Sequence, residues 1–233
     1  MDIKAYKMDG LGNDFVIINR KENPISISKE KIIELGKRDN IGFDQMIFFH
    51  EDRVSPNNAS ITIFNSDGEE VDACGNGSRC VAKILCDKTK KEVAIIVTAN
   101  NILKAQKISE NNIRLAMGEP CFEWKKIPLS ESIDHKKINL NIGGIELKDG
   151  FALNVGNPHI VFFVDDCFKY NLNKIGPLIE NHEMFPEKIN VTFAQIKDST
   201  NILVNVWERG AGLTKACGTA ACATGVVAFE KKL

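Results

Sequence analysis

The chain has 233 residues, of which 43% are hydrophobic and 26% charged, and its formal net charge at pH 7 is -1. This length fits one large or two smaller globular domains with a buried core, and the balanced charge favours neither nucleic acid nor an anionic membrane as a partner. Since no stretch approaches the about 18 uninterrupted apolar residues of a membrane-spanning helix, and the N-terminus lacks an apolar signal sequence, we expect a cytoplasmic protein.

The first part of the chain alternates short strands with two helices. Strands are predicted at FVIINR, QMIFF and ITIF, residues 15–20, 45–49 and 61–64. Between the first two, SKEKIIELGK predicts a helix with Ser28 as its N-cap and Glu30 in its first turn. NGSRCVAKILCDK, at 76–88, is apolar on most faces and predicts a helix surrounded by protein. Three further strand-like segments follow it, at 93–100, 101–108 and 112–119.

The second part predicts the same order of elements. Strands are expected at HIVFFV, NVTFAQI and ILVNVW, with a helix at NLNKIGPLIEN and an apolar helix at GTAACATGVVAFEKK. No strands follow this last helix, so the second part is expected to be incomplete relative to the first. The glycine and proline of MGEPCFEW suggest a boundary, giving domains at 1–118 and 119–233.

The two parts also align with one another. At a shift of 143 residues Cys74 falls on Cys217 and Gly75 on Gly218, and at a shift of 144 Asn13 falls on Asn157. Similar order and spacing over several blocks indicate an internal duplication. The remaining cysteines of the two apolar helices, Cys80, Cys86 and Cys222, are expected to be buried core residues.

Each duplicated Cys-Gly pair begins an apolar helix. The positive end of a helix dipole lowers the pKa of a thiol, glycine lets a ligand approach the backbone, and free N–H groups there can hold a carboxylate. Two related thiols suit inversion of a stereocentre, in which a thiolate removes a proton from one face and a thiol returns one to the other. No dinucleotide or phosphate-loop motif occurs, and C-x-x-C is absent, so no cofactor and no metal are expected.

The sequence resembles the diaminopimelate epimerase family. The motifs that carry the resemblance are KMDGLGNDF, GFDQ, FNSDG, ACGNGSRC, GNPH, GPLIENHEMFPEKINV and ERGAGLTKACGTAACA, which occur in the family's order. The resemblance implies epimerisation of LL-diaminopimelate to meso-diaminopimelate in lysine and peptidoglycan precursor synthesis. It also implies an α+β fold of two pseudo-duplicated halves, each a mostly antiparallel sheet curled around a buried central helix.

The resemblance further implies roles for individual residues. Cys74 and Cys217 correspond to the proton donor and acceptor, and His159 and Glu208 are expected to tune these cysteines or to anchor the reacting ammonium group. Arg209 is expected to hold one carboxylate and the helix-start amides the other. The implied substrate contacts are Asn13, Gln45, Asn65, Gly75, Asn76, Asn157, Asn190, Glu208, Arg209, Gly218 and Thr219.

The family continues with further strands that complete the second half and contribute to a homodimer contact. We therefore expect an uncovered apolar helix at 219–229 and loss of part of that contact. Three alternatives are kept: a catalytically impaired homologue that only binds, a two-cysteine racemase such as a proline or hydroxyproline racemase, and a thiol redox protein in which Cys74 and Cys217 form a disulfide.

Overall fold

The structure, a computed structural model, describes residues 3–71, 74–99, 101–214 and 216–233. The chain divides into two compact units, Met1–Met117 and Gly118–Leu233, one residue before the boundary expected from sequence. Both units are α+β, and each is built on one sheet. None of the helices in the described part of the chain is long and apolar enough to cross a membrane.

The first unit contains an eight-stranded sheet and two helices. The strands are β1 (Ala5–Gly10), β2 (Asn13–Asn19), β3 (Gln45–Glu51), β4 (Asn58–Asn65), β5 (Glu70–Val71), β6 (Val93–Val97), β7 (Ile102–Ser109) and β8 (Asn112–Ala116), and the helices are α1 (Lys29–Gly36) and α2 (Gly75–Thr89). The sheet order is β1-β2-β3-β4-β6-β7-β8, with β5 paired to β4. The β2–β3 and β4–β6 pairs are parallel and the other pairs antiparallel.

Helix α2 lies against the sheet of the first unit and is buried along its length. Val81, Ala82 and Leu85 are fully buried in a core that also contains Phe15 and Ile47 of the sheet. This confirms the sequence prediction of a helix surrounded by protein. Ser28 is the N-cap of α1, as predicted, and its hydroxyl accepts a hydrogen bond from the Lys31 N–H.

The second unit contains a six-stranded sheet and two helices. The strands are β9 (Ile138–Ile142), β10 (Ile145–Asn154), β11 (Pro158–Phe163), β12 (Asn190–Ile196), β13 (Ile202–Glu208) and β14 (Gly212–Thr214), and the helices are α3 (Leu172–Glu180) and α4 (Gly218–Lys231). The sheet order is β14-β13-β12-β11-β10-β9. Only the β11–β12 pair of these described strands is parallel.

Four consecutive strands have the same pairing in both units. In β1 to β4, and likewise in β10 to β13, the three successive pairs are antiparallel, parallel and antiparallel. The connection between the two parallel strands contains helix α1 in the first unit and helix α3 in the second. This shared arrangement agrees with an internal duplication. It also places three strand ends at the same end of each sheet. In the first unit these are the start of β2, the start of β3 and the end of β4, and in the second unit they are the start of β11, the start of β12 and the end of β13.

Helix α4 is less buried than α2. Ala220, Ala223 and Val227 pack towards the sheet, whereas Phe229 is 81% exposed. The expected exposure of apolar surface on this helix is therefore confirmed for one face. Cys222 lies on that exposed face, so the prediction that it is a core residue is wrong, although Cys80 and Cys86 are buried as predicted.

Candidate active site

In the first unit, the candidate site begins at the N-terminus of α2. Cys74 is the N-cap, in an extended conformation, and its Sγ accepts a hydrogen bond from the Gly77 N–H at 3.3 Å. The first N–H groups of a helix have no partner within the helix, so those of Gly75 and Asn76 are available to an anion. A side chain at Gly77 would meet Ile47, which explains why glycine occupies this position in the closely packed first turn.

Three strand ends bring amide side chains to the same part of the first unit. Asn13 begins β2, Gln45 begins β3 and Asn65 ends β4. Gln45 Nε2 donates to Asn65 Oδ1 at 2.9 Å, and Asn76 Nδ2 donates to Asn13 Oδ1 at 2.7 Å. Four of the sequence-predicted residues of this unit thus form two hydrogen-bonded pairs. Arg79, which the sequence did not single out, donates to Asn76 Oδ1.

Asp44 joins these strand ends and was also missed from sequence. Its carboxylate accepts a hydrogen bond from the Asp14 N–H at 2.9 Å, its own N–H donates to the Asp14 carbonyl, and its carbonyl accepts from the Ser66 N–H. Arg38 forms ion pairs with both Asp14 and Asp44. Because these residues adjoin Asn13, Gln45 and Asn65 in sequence, Asp44 fixes the three strand ends relative to each other.

In the second unit, Cys217 is the N-cap of α4. Its Sγ lies 3.3 Å from Thr219 Oγ1. Burial and the nearby Glu208 carboxylate raise the pKa of the Cys217 thiol to about 12, against an opposing effect of Thr219 and the Ala220 backbone. The prediction of a lowered thiol pKa is therefore wrong for Cys217, because desolvation of the thiolate and the Glu208 charge outweigh the hydrogen bonds of Thr219 and the Ala220 backbone.

Glu208 ends β13 and is held in place by β14. Its Oε1 accepts a hydrogen bond from Thr214 Oγ1 at 2.5 Å, and β14 begins at the glycine opposite Glu208. The chain reverses at Arg209 and Gly210 to make this pairing. Since Cys217 follows β14 by only a few residues, the hairpin brings the Glu208 carboxylate near the thiol.

A buried glutamate, Glu180, fixes the turn that carries Arg209. Its two oxygens accept hydrogen bonds from Trp207 Nε1 at 2.7 Å and from the Gly210 N–H at 3.0 Å. Arg209 itself is exposed, and its Nη1 donates to the Glu187 carbonyl at 3.0 Å. The guanidinium is accordingly directed by contacts on both sides of the turn, which suits a group that binds a carboxylate.

His159 and Asn190 lie side by side at the starts of β11 and β12. His159 is fully buried, and this burial, together with Arg209, lowers its pKa to about 3, so it is neutral at physiological pH. Its Nε2 lies 2.9 Å from Asn157 Oδ1. Asn190 Nδ2 donates to the Pro158 carbonyl and its Oδ1 accepts from the Arg209 N–H, so Asn190 supports the site as part of the backbone framework.

The predicted residues thus form one cluster in each unit. The first cluster contains Asn13, Gln45, Asn65, Cys74, Gly75 and Asn76, and the second contains Asn157, His159, Asn190, Glu208, Arg209, Cys217, Gly218 and Thr219. Among the residues that the structure describes, no three His, Cys, Asp or Glu side chains are grouped closely enough to hold a metal ion.

Comparison with known proteins identifies the family of the chain. The sequence model described as diaminopimelate epimerase matches residues 5–123 and 151–233. The chain belongs to the diaminopimelate epimerase family. A family member from Pelagibacter ubique strain HTCC1062 is 47% identical over 231 residues, covering 98% of this chain and 84% of the relative. One from Rhizobium leguminosarum bv. trifolii is 40% identical, covering 97% of this chain and 77% of the relative.

Solved structures show that this diaminopimelate epimerase family member shares its fold with other proteins. A probable proline racemase from Agrobacterium radiobacter K84 gives a TM-score of 0.66 at 14% identity, with 99% of this chain and 78% of that chain covered. A phenazine biosynthesis protein of the PhzF family from Enterococcus faecalis gives 0.65 at 13% identity, with 100% and 84% covered. At these identities the likeness concerns the fold alone. The family assignment makes the chain an isomerase.

Proposed function

We propose that this chain interconverts LL-diaminopimelate and meso-diaminopimelate without a cofactor. Its membership of the diaminopimelate epimerase family supports the reaction. The observation that carries the mechanism is the equivalent placement of Cys74 and Cys217 as N-caps of α2 and α4. One thiolate takes the α-proton from one face of the substrate carbon, and the other thiol gives its proton to the opposite face. The two sulfurs then hold each other's starting protonation states.

The raised pKa of Cys217 supports a starting assignment. Burial and the Glu208 charge favour the protonated form of Cys217, which supports Cys217 as the acid in one direction of the reaction. Cys74 then acts as the base for that direction of the reaction. Glu208, which raises the Cys217 pKa, makes that thiol a readier proton acceptor once it has become a thiolate, and so assists the reverse direction.

The carbanion between the two proton transfers requires stabilisation by fixed dipoles and donors. The N–H groups at the starts of α2 and α4 are suited to hold the carboxylate beside the reacting carbon. Arg209 is suited to hold the other carboxylate in a bidentate contact. The amide side chains of Asn13, Gln45, Asn65 and Asn157 complete the contacts that orient the substrate.

The cellular setting follows from the same assignment. The product serves lysine and peptidoglycan precursor synthesis, and a cytoplasmic location keeps both thiols reduced.

The test is exchange of the substrate α-proton. Purified chain is mixed with LL-diaminopimelate in D2O, and the α-proton signal and the meso isomer are followed by NMR. We expect loss of the signal together with formation of the meso isomer. Binding detected by thermal shift without any exchange would instead favour the catalytically impaired homologue.

Two variants and a second substrate sharpen this test. Cys74→Ala and Cys217→Ala are each expected to abolish formation of the meso isomer, since either one leaves only one acid–base group. Turnover retained by either variant would refute the two-base scheme. Exchange of the α-proton of proline under the same conditions would favour the racemase alternative.

A further inference from the structure

A chain of three side chains in the first unit ends at Asn13. Arg79 Nη2 donates to Asn76 Oδ1, and Asn76 Nδ2 donates to Asn13 Oδ1 at 2.7 Å. Arg79 follows Asn76 by three residues on α2, so both lie on one face of the helix. Asn76 is only 4% exposed, and its amide therefore depends on these partners for its hydrogen bonds.

The chain fixes the direction in which each amide points. A guanidinium group has only donors, so the Asn76 oxygen must face Arg79 and the Asn76 NH2 must face Asn13. Asn13 can accept the hydrogen bond from the Asn76 NH2 only with its side-chain oxygen. The NH2 of Asn13 consequently points away from Asn76 and Arg79, and it is left to donate to a ligand.

The equivalent asparagine of the second unit has the same orientation through a different partner. Asn157 Oδ1 lies 2.9 Å from Nε2 of the neutral His159, and an amide oxygen at this place pairs with the tautomer that has its proton on Nε2. Aligned with the first unit, the position of Asn76 is taken by Thr219 and that of Arg79 by Cys222. The two units therefore reach one orientation with unrelated side chains, which argues that the orientation itself matters to the site.

We propose that Arg79 is a positioning residue. Through Asn76, it holds the Asn13 amide so that its NH2 faces the substrate, where it donates a hydrogen bond to a carboxylate and disfavours an ammonium group. This inference rests on the proposed function for the identity of the substrate. An amide NH2 complements a carboxylate oxygen, whereas an amide oxygen complements an ammonium group. Without Arg79 both amides are free to turn, and part of the population presents the wrong group.

Replacing Arg79 tests the proposal. Arg79→Met keeps the bulk of the side chain and removes its donors, and it should raise KM for LL-diaminopimelate about tenfold, the loss of a hydrogen bond to a charged group. The kcat should change much less. Arg79→Lys keeps a donor and should recover most of the affinity. The matched control is Arg53→Met. Arg53 lies just after the end of β3 that is opposite Gln45, so this variant should leave KM unchanged.

A double-variant cycle separates positioning from a general structural effect. If Arg79 acts through Asn13, then Arg79→Met should add little to the KM of Asn13→Ala. The proposal would be overturned if the KM effects of Arg79→Met and Asn13→Ala were fully additive. It would also be overturned if Arg79→Lys lowered kcat and thermal stability as much as Arg79→Met does.

Asn13→Asp gives a reading that does not depend on turnover. Its inward oxygen still accepts from Asn76, so the melting temperature should stay within about 2 °C of that of the unmodified chain. Its outward oxygen repels a carboxylate and should raise KM more than Arg79→Met does. A clear fall in melting temperature would show that Asn13 presents its NH2 inwards and would refute the orientation. Failure of the unmodified chain to exchange the α-proton would count against the proposed function, while the melting result still decides the orientation.

Discussion

Cys217 and Glu208 show how one carboxylate changes the acid–base behaviour of a thiol. The Glu208 carboxylate is held by the Thr214 hydroxyl at 2.5 Å and destabilises a thiolate at Cys217. Burial acts in the same direction and is the larger cause. Together they keep the thiol protonated well above the pH at which an exposed cysteine ionises.

Removal of the Glu208 charge is expected to lower the Cys217 pKa. In Glu208→Gln the anion that opposes the thiolate is gone, so a larger fraction of Cys217 is thiolate at any pH below its pKa. Alkylation by iodoacetamide at pH 8 should therefore be several-fold faster, because one pKa unit changes the thiolate fraction about tenfold. The rate is measured by mass spectrometry of the peptide that contains Cys217.

The control for this experiment is Glu146→Gln. It removes an equal charge near the start of β10, at the end of that strand opposite Asn154. It should leave the alkylation rate of Cys217 unchanged. A Glu208→Gln variant with an unchanged or slower rate would show that Glu208 does not oppose ionisation of Cys217.

At this scale the sequence identifies residue types and local geometry but not their energies. The two Cys-Gly pairs and Ser28 were recognisable as helix starts because capping depends on neighbours in sequence. The direction of the Cys217 pKa was not, because it depends on burial by strands far away along the chain. The roles of Asp44 and Glu180 were not recognisable from sequence either, because they depend on contacts with distant segments and an acidic residue is usually a surface residue.

Among the elements, helix α3 and strand β13 are packed through a position that tolerates only glycine. A Cβ at Gly176 would lie 2.5 Å from Trp207 Cδ2, and two further ring atoms lie within 3 Å of it. The indole cannot turn away freely because its Nε1 donates to Glu180. Helix α3 and the end of β13 are thereby locked together next to Glu208 and Arg209.

Gly176→Ala is expected to destabilise the second unit. The added methyl group must displace the Trp207 ring or the helix, at a cost of about 1 to 3 kcal/mol for overpacking. The displacement also moves the end of β13, so KM for diaminopimelate should rise. Urea unfolding followed by tryptophan fluorescence measures the first effect and α-proton exchange the second.

Gly225→Ala, on α4, is the matched comparison. No atom lies within 4 Å of a Cβ at this position, so the substitution should stabilise the helix by about 0.5 to 1 kcal/mol through its higher helix propensity. Equal unfolding midpoints for the two variants would contradict the packing argument.

The elements that sequence reasoning missed follow a recognisable pattern. β9 and β10 form a hairpin through Gly143 and Gly144, which have φ values of 58° and 86°. The alternating INLNI before a Gly-Gly pair is a hairpin signal, but the internal repeat does not point to it because β9 lies outside the four strands that the two units share. Of the strands shared by both units, β2 to β4 and β11 to β13 are recognisable from sequence because each copy supports the other, whereas β1 and β10 are predicted in neither copy.

At the scale of the whole molecule, a buried ionic cluster makes the first unit sensitive to acid. Glu51 is 1% exposed and accepts hydrogen bonds from Asn19 Nδ2 at 2.7 Å and Lys88 Nζ at 2.5 Å. Burial alone would raise its pKa, but these hydrogen bonds and the lysine charges outweigh burial and lower it. The cluster joins the ends of β2 and β3 to the last turn of α2.

Glu51→Gln is expected to lower stability at pH 7 and not at low pH. A carboxyl group whose folded pKa is lowered contributes stability above its ordinary pKa of 4.5, and this contribution disappears as the pH falls through the folded value. The difference in melting temperature between Glu51→Gln and the unmodified chain should thus shrink progressively below pH 4.5. Glu34→Gln, at an exposed ion pair, should have little effect at either pH. A constant difference across this range would contradict the assignment.

The exposed apolar face of α4 is expected to cause association at high concentration. This face carries Phe229, which is 81% exposed, and Leu233 follows it at 60%. Phe229→Ser should reduce the average mass measured by sedimentation at about 1 mM and leave the melting temperature nearly unchanged, because little buried area is lost. A monomer at every concentration in the unmodified chain would contradict this expectation.

The division of strand pairing between the two units also has a consequence for synthesis. All pairs of the first sheet join residues between Ala5 and Ala116, so every partner it needs has been made before any strand of the second sheet is translated. At about 5 to 20 residues per second, the ribosome gives the first sheet several seconds in which to fold before the second is complete. Helix α2, with Cys74 at its N-cap, can therefore pack on its sheet while Cys217 has yet to be synthesised.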